Sequence, residues 1–284
     1  RFEAADIVLF LARLGDQLRF SQMPQGKTII VSFAVSRGLF GSAFGTGHHG
    51  AFLALKDAVN ATLDRAETVR ITCPLGTEIS GRPEMNLASD GDTTIRRFPM
   101  SVFTPVPAHS FSGRAALRFL TGTGSRYYPD YSPEFSAPVF AILRDGRLAG
   151  FEGTPGDVAR ANAQYDRVSG LFGIDRNFVH SWHAGIHPGC GYPWDMRQTY
   201  ERWGGTAFGN PRILHFHTCG AYAPGEISWN IFDPTIEVDG VTLWERGVFR
   251  ADRLPAGPDI LAGFPGVAAL FNAPDREIGL RAGG

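Results

Sequence analysis

The sequence predicts an α/β protein, with an N-terminal α/β domain on a mainly parallel sheet (residues 1–97) and a mixed, β-rich C-terminal domain (98–284). Three observations predict it. A strand–helix–strand order fills the first hundred residues, which reads as a βαβ unit. After residue 98, short β-type runs follow one another around Asp-Gly turns. The 35 glycines and 19 prolines imply many turns, against a helix bundle.

The elements follow in order. Ile7, Val8, Leu11, Leu14 and Leu18 stand at helical spacing, so residues 4–18 read as a helix. "KTIIVSFAV" (27–35) is a β-branched run of strand length. Phe52, Leu55, Val59, Leu63 and Ala66 recur every three or four residues and make an amphipathic helix. "TVRITC" (68–73) is the next strand. "RRFPMSVFTPVP" (96–107) is broken by prolines and marks a boundary or an edge segment. "APVFAILRDGRLAGFEG" is a hairpin about Asp145–Gly146. Thr154, Pro155 and Asp157 supply the cap, first-turn proline and first-turn acid of a helix through residue 170. "RILHFHTCG", "EISWNIF" and "TIEVDGVTLW" are strands, the last a second hairpin at Asp239–Gly240.

Composition narrows the function. A net charge of −1 without a basic run gives no ground for nucleic acid or an acidic membrane as partner. No stretch reaches the roughly 18 apolar residues of a membrane span. Cys73, Cys190 and Cys219, odd in number and without paired spacing, fit a reducing cytoplasm better than a disulfide framework. The chain opens on Arg1, so its start says little about targeting.

The chemistry concentrates in "HSWHAGIHPGC" (180–190) and "LHFHTCG" (214–220), which hold five of the eight histidines. As a strand, 178–187 puts Phe178, His180, Trp182, Ala184 and Ile186 on one face. Val179, Ser181, His183, Gly185 and His187 share the other. Strand residues four apart lie roughly 13 Å from each other, so His183 and His187 do not share one ion. His215 and His217 share a face, and a tight connection leads to Glu226 at the head of the next strand. Two histidines and a carboxylate suit non-haem Fe(II), and with an open position catalytic zinc. His48 and His49 open a helix and could meet an anion there or lie at the surface.

Several segments together resemble one family. "MPQGKTIIVSFAVSRGLF", "ETVRITCPLGTEISGR", "RRFPMSVFTPVPAHSFSGRAAL", "HSWHAGIHPG" and "TIEVDGVTLWERGVF" occur in the order of the aminopeptidase T-like superfamily. It contains metallo-aminopeptidases and 2,5-dihydroxypyridine dioxygenases. The resemblance covers nearly the whole chain. In the aminopeptidase branch a glutamate of a Gly-Glu-Ile-Gly-Leu-Gly-like stretch binds one of two metals. Here "WHAGIH" matches that stretch, with His183 at the glutamate's place. A histidine there resembles the dioxygenase branch, whose single Fe(II) is held by two histidines and an aspartate. The second His-x-Asp pair of that branch falls on Glu226-Ile227-Ser228, a departure at both ligand positions.

The resemblance implies a mononuclear Fe(II) ring-cleaving dioxygenase acting with dioxygen on a dihydroxylated (N-hetero)aromatic such as 2,5-dihydroxypyridine, in a homo-oligomer. The expected ligands are His183, His217 and Glu226, with His215 as the alternative to His217, Asp233 as an alternative carboxylate and zinc or another divalent metal as an alternative ion. His187 or His215 is the expected acid–base. Trp182, Tyr192, Trp194 and Trp229 are candidate walls for a flat ring, and Arg197 or Arg202 a holder of an anionic group. The alternatives are a metallo-aminopeptidase-like hydrolase and a non-catalytic small-molecule-binding relative.

Overall fold

A computed structural model of the chain describes residues 4–11, 26–88, 96–122, 133–220 and 225–280. The strands are β1 (Ile7–Phe10), β2 (Thr28–Ser32), β3 (Val69–Thr72), β4 (Glu78–Gly81), β5 (Arg96–Phe98), β6 (Val106–Pro107), β7 (Ser112–Thr121), β8 (Glu134–Arg144), β9 (Arg147–Glu152), β10 (Val179–Ala184), β11 (Ile213–Cys219), β12 (Glu226–Phe232), β13 (Thr235–Val238), β14 (Val241–Glu245) and β15 (Val248–Phe249). The helices are α1 (Arg37–Gly41), α2 (Ala43–Thr46), α3 (His49–Arg65), α4 (Pro155–Phe172), α5 (Tyr200–Thr206), α6 (Gly257–Gly263) and α7 (Pro265–Asn272).

The mixed α/β class holds, with a different division of strands. β1, β2 and β5 form a small parallel sheet. The other twelve form one antiparallel sheet in the order β15–β14–β13–β3–β4–β7–β12–β11–β10–β6, with β8 and β9 continuing from β7. So the β2–α3–β3 segment is not a βαβ unit. β3 pairs antiparallel with β13 and β4, and β4 with β7, while β5 supplies the third parallel strand. Element order alone does not say which sheet a strand enters.

The expected N-terminal helix is a second correction. Residues 7–10 are strand, each paired in parallel with a residue of Thr28–Val31. A short apolar run fits either period, and the β-branched pair Ile7–Val8 favours the strand once a partner is present. Leu14 and Leu18 lie outside the described residues.

The remaining elements form where their chemistry places them. Thr154 accepts the Asp157 backbone N–H at the head of α4. Asp145–Gly146 and Asp239–Gly240 all have positive φ, as type I′ hairpin turns require. α3 buries Phe52, Leu55, Val59 and Leu63 in the main core. Toward the β6 end of the large sheet, β10, β11 and β12 place Trp182, Phe216 and Trp229 opposite one another on the core side. Their alternate residues therefore face the other way, and these carry the histidines. Among the described residues no helix is long and apolar enough to cross a membrane.

Candidate metal centre

Two neighbouring strands build the centre. In the antiparallel β10–β11 pair, His183 lies directly opposite His215, and Ser181 opposite His217. His215 and His217, two apart on β11, project to the same face. His183 Nε2 is consequently 2.7 Å from His215 Nε2 and 3.3 Å from His217 Nε2. One ligand atom from each of the three lies within 4.8 Å of the others, a group that could hold a metal ion. His183 and His215 are buried, while His217 is the more open member.

The outer nitrogens show how the rings are held. His183 Nδ1 faces the Phe103 carbonyl at 3.0 Å. His217 Nδ1 is 2.9 Å from Glu226 Oε1, and the same oxygen accepts from Ser228 Oγ at 2.9 Å. Each contact orients its ring and leaves Nε2 toward the centre. A carbonyl or carboxylate behind a ligating histidine is the usual support of a metal site. The phenyl ring of Phe208 stacks on His215 at 4.0 Å between centroids. Nitrogens about 2.0–2.1 Å from a tetrahedral ion lie about 3.3 Å from one another; His183 and His217 stand at that separation, and His183 and His215 are closer, at 2.7 Å. The donor set thus fits one divalent ion.

The expected ligand set is partly rearranged. His183 and His217 lie together, and His215, expected as an acid–base or as the alternative ligand to His217, lies with both of them. Glu226 contacts the far nitrogen of His217 rather than the centre. β12 runs antiparallel to β11 with Ser228 opposite His217, so Glu226 is a diagonal neighbour and reaches Nδ1. Asp233 is gripped by both arms of the Arg212 guanidinium, at 2.6 and 2.7 Å.

His187 stands apart from the trio. Its ring stacks on Phe52 at 3.7 Å, meets Phe44 edge-on, and accepts the Gly189 N–H at Nδ1. Burial pulls its pKa from 6.5 down to about 3. The unfolded chain therefore holds more protons than the folded chain between those values, and stability rises with pH across that window. Acidification from pH 6.5 should cost up to about 1.4 kcal/mol per pH unit through this residue. Urea unfolding at stepped pH should show a shallower slope for His187→Phe than for the wild type; equal slopes would overturn the assignment.

The aromatic candidates divide. Trp182 and Trp229 lie in the core on the face opposite the histidines, and Trp229 Nε1 donates to the Tyr165 hydroxyl at 2.6 Å. Tyr192 is buried in a separate cluster with Trp203, and Trp194 packs edge-to-face on it beneath the Arg202 guanidinium. Arg197 pairs with Glu134 through two bonds, at 2.8 and 2.9 Å. His48 caps α3 by accepting the Ala51 N–H. A register shift between Val179 and Ser181 puts Val179, rather than His180, in the core beside Trp182.

The fold resembles that of a dioxygenase. The solved 2,5-dihydroxypyridine dioxygenase of Pseudomonas putida KT2440 superposes with a TM-score of 0.55 at 12% identity, covering 87% of this chain and 72% of that one. Wild-type AmpT of Thermus thermophilus gives a TM-score of 0.38 at 14% identity, over 71% of this chain and 55% of that one. No family model matches the sequence, and no curated protein matches it.

Three residues around the centre escape the sequence reading. The Phe103 carbonyl carries no residue-type signal, because any residue has one. Phe208 lies in the three-residue 3₁₀ turn Ala207–Gly209 between α5 and β11, too short for a periodic sequence signal. Asn230, opposite His215 on β12, was accessible: "EISWNIF" alternates Glu226, Ser228 and Asn230 with apolar residues, so all three share the histidine face.

Proposed function

We propose that the protein is a mononuclear metal-dependent enzyme with its ion on Nε2 of His183, His215 and His217, and that it opens a dihydroxylated aromatic ring with dioxygen. The convergence of the three nitrogens carries the metal reading. The fold shared with a 2,5-dihydroxypyridine dioxygenase supports the choice of reaction. Fe(II) would supply the redox chemistry and open positions for oxygen and a ring hydroxyl.

The chain's own residues hold and shape that centre. Phe103 and Glu226 fix two of the rings, and Ser228 holds the carboxylate that fixes the second. Phe208 covers His215 and gives a flat substrate one apolar neighbour. We place His215 among the ligands and His187 in the packing, so neither serves as the acid–base in this reading. A small aromatic substrate, a cytoplasmic setting and a homo-oligomer belong to the same proposal.

The donor set favours a second reading. Three histidines with an open position are also a catalytic zinc set, which would activate water for hydrolysis. Elemental analysis of protein purified without added metal, followed by anaerobic Fe(II) loading and oxygen uptake with 2,5-dihydroxypyridine, separates the readings. One iron per chain with oxygen consumption supports the dioxygenase. Zinc with release of amine from aminoacyl-anilides turns the assignment to a hydrolase. Failure to bind any divalent metal overturns both.

Glu226 supplies a graded test. Glu226→Gln removes the charge behind His217 and should weaken metal binding by roughly 10-fold, within the 10–100-fold range of outer partners. Competition with a chromophoric chelator measures it; unchanged affinity would remove Glu226 from the site.

A further inference from the structure

We propose that Asn230 is the positioning residue of His215, accepting the Nδ1–H of that ring when a cation sits at Nε2. The inference rests on the metal reading above and adds the third ring's support.

A hydrogen bond between two imidazole nitrogens needs a proton on one of them. His183 Nδ1 faces a carbonyl, which only accepts, so the single proton of a neutral His183 is on Nδ1 and its Nε2 is bare. His217 Nδ1 faces the Glu226 carboxylate, which places the proton of a neutral His217 on Nδ1 as well. The 2.7 Å contact between His183 and His215 therefore takes its proton from His215 Nε2. A cation occupies the position of that proton. Neutral His215 then carries its proton on Nδ1, and the relocated N–H requires an acceptor. No proton is lost overall: one leaves Nε2 and one arrives at Nδ1 through solvent.

Asn230 meets the requirement. It is the direct cross-strand partner of His215, so both side chains stand on the same face. Opposite side chains have Cβ atoms about 4.5–5.5 Å apart, a span that an imidazole Nδ1 and an amide Oδ1 bridge with one hydrogen bond. Asn230 is fully buried, and its Nδ2 donates to Thr121 Oγ1 at 3.0 Å. That bond turns Oδ1 away from Thr121, and Oδ1 has no hydrogen-bond partner among the described residues. A buried carbonyl oxygen without a donor is uncommon and costly. Here it matches a donor that metal binding creates. Phe103, Glu226 and Asn230 would then support the three ligands in turn.

Zinc(II) is the probe, because it is diamagnetic and needs no oxygen. Its affinity for the intact wild-type, Asn230→Leu and Asn230→Asp chains is measured by chelator competition, with thermal unfolding recorded for each. Leucine should weaken zinc binding 10–100-fold. Aspartate, which can only accept, should restore it. ¹⁵N NMR of the zinc-loaded wild type should show His215 protonated on Nδ1. Wild-type affinity in the leucine variant, equal losses in both variants, or a bare Nδ1 overturns this role while the metal site stands. A wild type that takes up no zinc overturns the metal site and this role with it.

Discussion

His183→Ala should lose metal binding by at least ~100-fold, beyond the roughly 10–100-fold that an outer partner costs. His183 is the hub of the trio: its Nε2 is the atom that both His215 and His217 approach, at 2.7 and 3.3 Å. Its removal leaves two nitrogens on one strand, and with them no triangular face for an ion. His180→Ala is the matched control from the same strand. That residue is half-buried, packs edge-on against Phe178 and is absent from the converging group. Metal per chain, affinity and unfolding midpoint are measured for both. The site assignment requires that His183→Ala stay folded and lose the ion, and that His180→Ala keep it. Full metal occupancy in folded His183→Ala would sink the assignment.

The contrast between these two histidines marks how far the sequence could be read. Strand alternation correctly separates His183 from Trp182, and places His215 and His217 together. It also shows that His183 and His187 are too far apart for one ion. What alternation does not supply is register. β10 and β11 are joined by residues 185–212, too long a connection for hairpin rules to set the pairing. The opposition of His183 and His215 is thus a tertiary fact, and so the sequence leaves open whether His215 or His217 joins His183 and does not show that both do. Glu226 is a nearer case. The connection from β11 is short enough to bring it beside His217, but which nitrogen it meets depends on the diagonal it occupies. In the N-terminal part, strand identity is legible for residues 28–32 and 69–72, yet their division between two sheets is not. Period and turn chemistry are local properties, whereas sheet membership is decided by partners distant in the chain.

Trp229→Ala should destabilise the protein by about 3–5 kcal/mol, the usual cost of removing a large aromatic from a packed core. The stability of a domain is commonly about 5–15 kcal/mol, so this one change removes a large part of it. Trp229 is fully buried between Phe216 and the α4 side chain Tyr165. Its indole N–H donates to the Tyr165 hydroxyl, which in turn bonds Thr218, the residue following His217. α4 is thereby tied to the two strands that bear His215, His217 and Glu226, from the side of the sheet opposite the metal centre. Trp229→Phe keeps most of the volume and loses the N–H donor, so it should cost less than alanine and leave zinc affinity near wild type. Urea unfolding, chelator competition and oxygen uptake over a range of 2,5-dihydroxypyridine concentrations on both variants decide between packing and a wall of the substrate site. A packing residue lowers the unfolding free energy in proportion to volume lost, and the folded variants keep substrate affinity. If Trp229→Phe instead unfolds like the wild type and binds substrate weakly, the indole faces the substrate and the two sides of the sheet have been assigned the wrong way round.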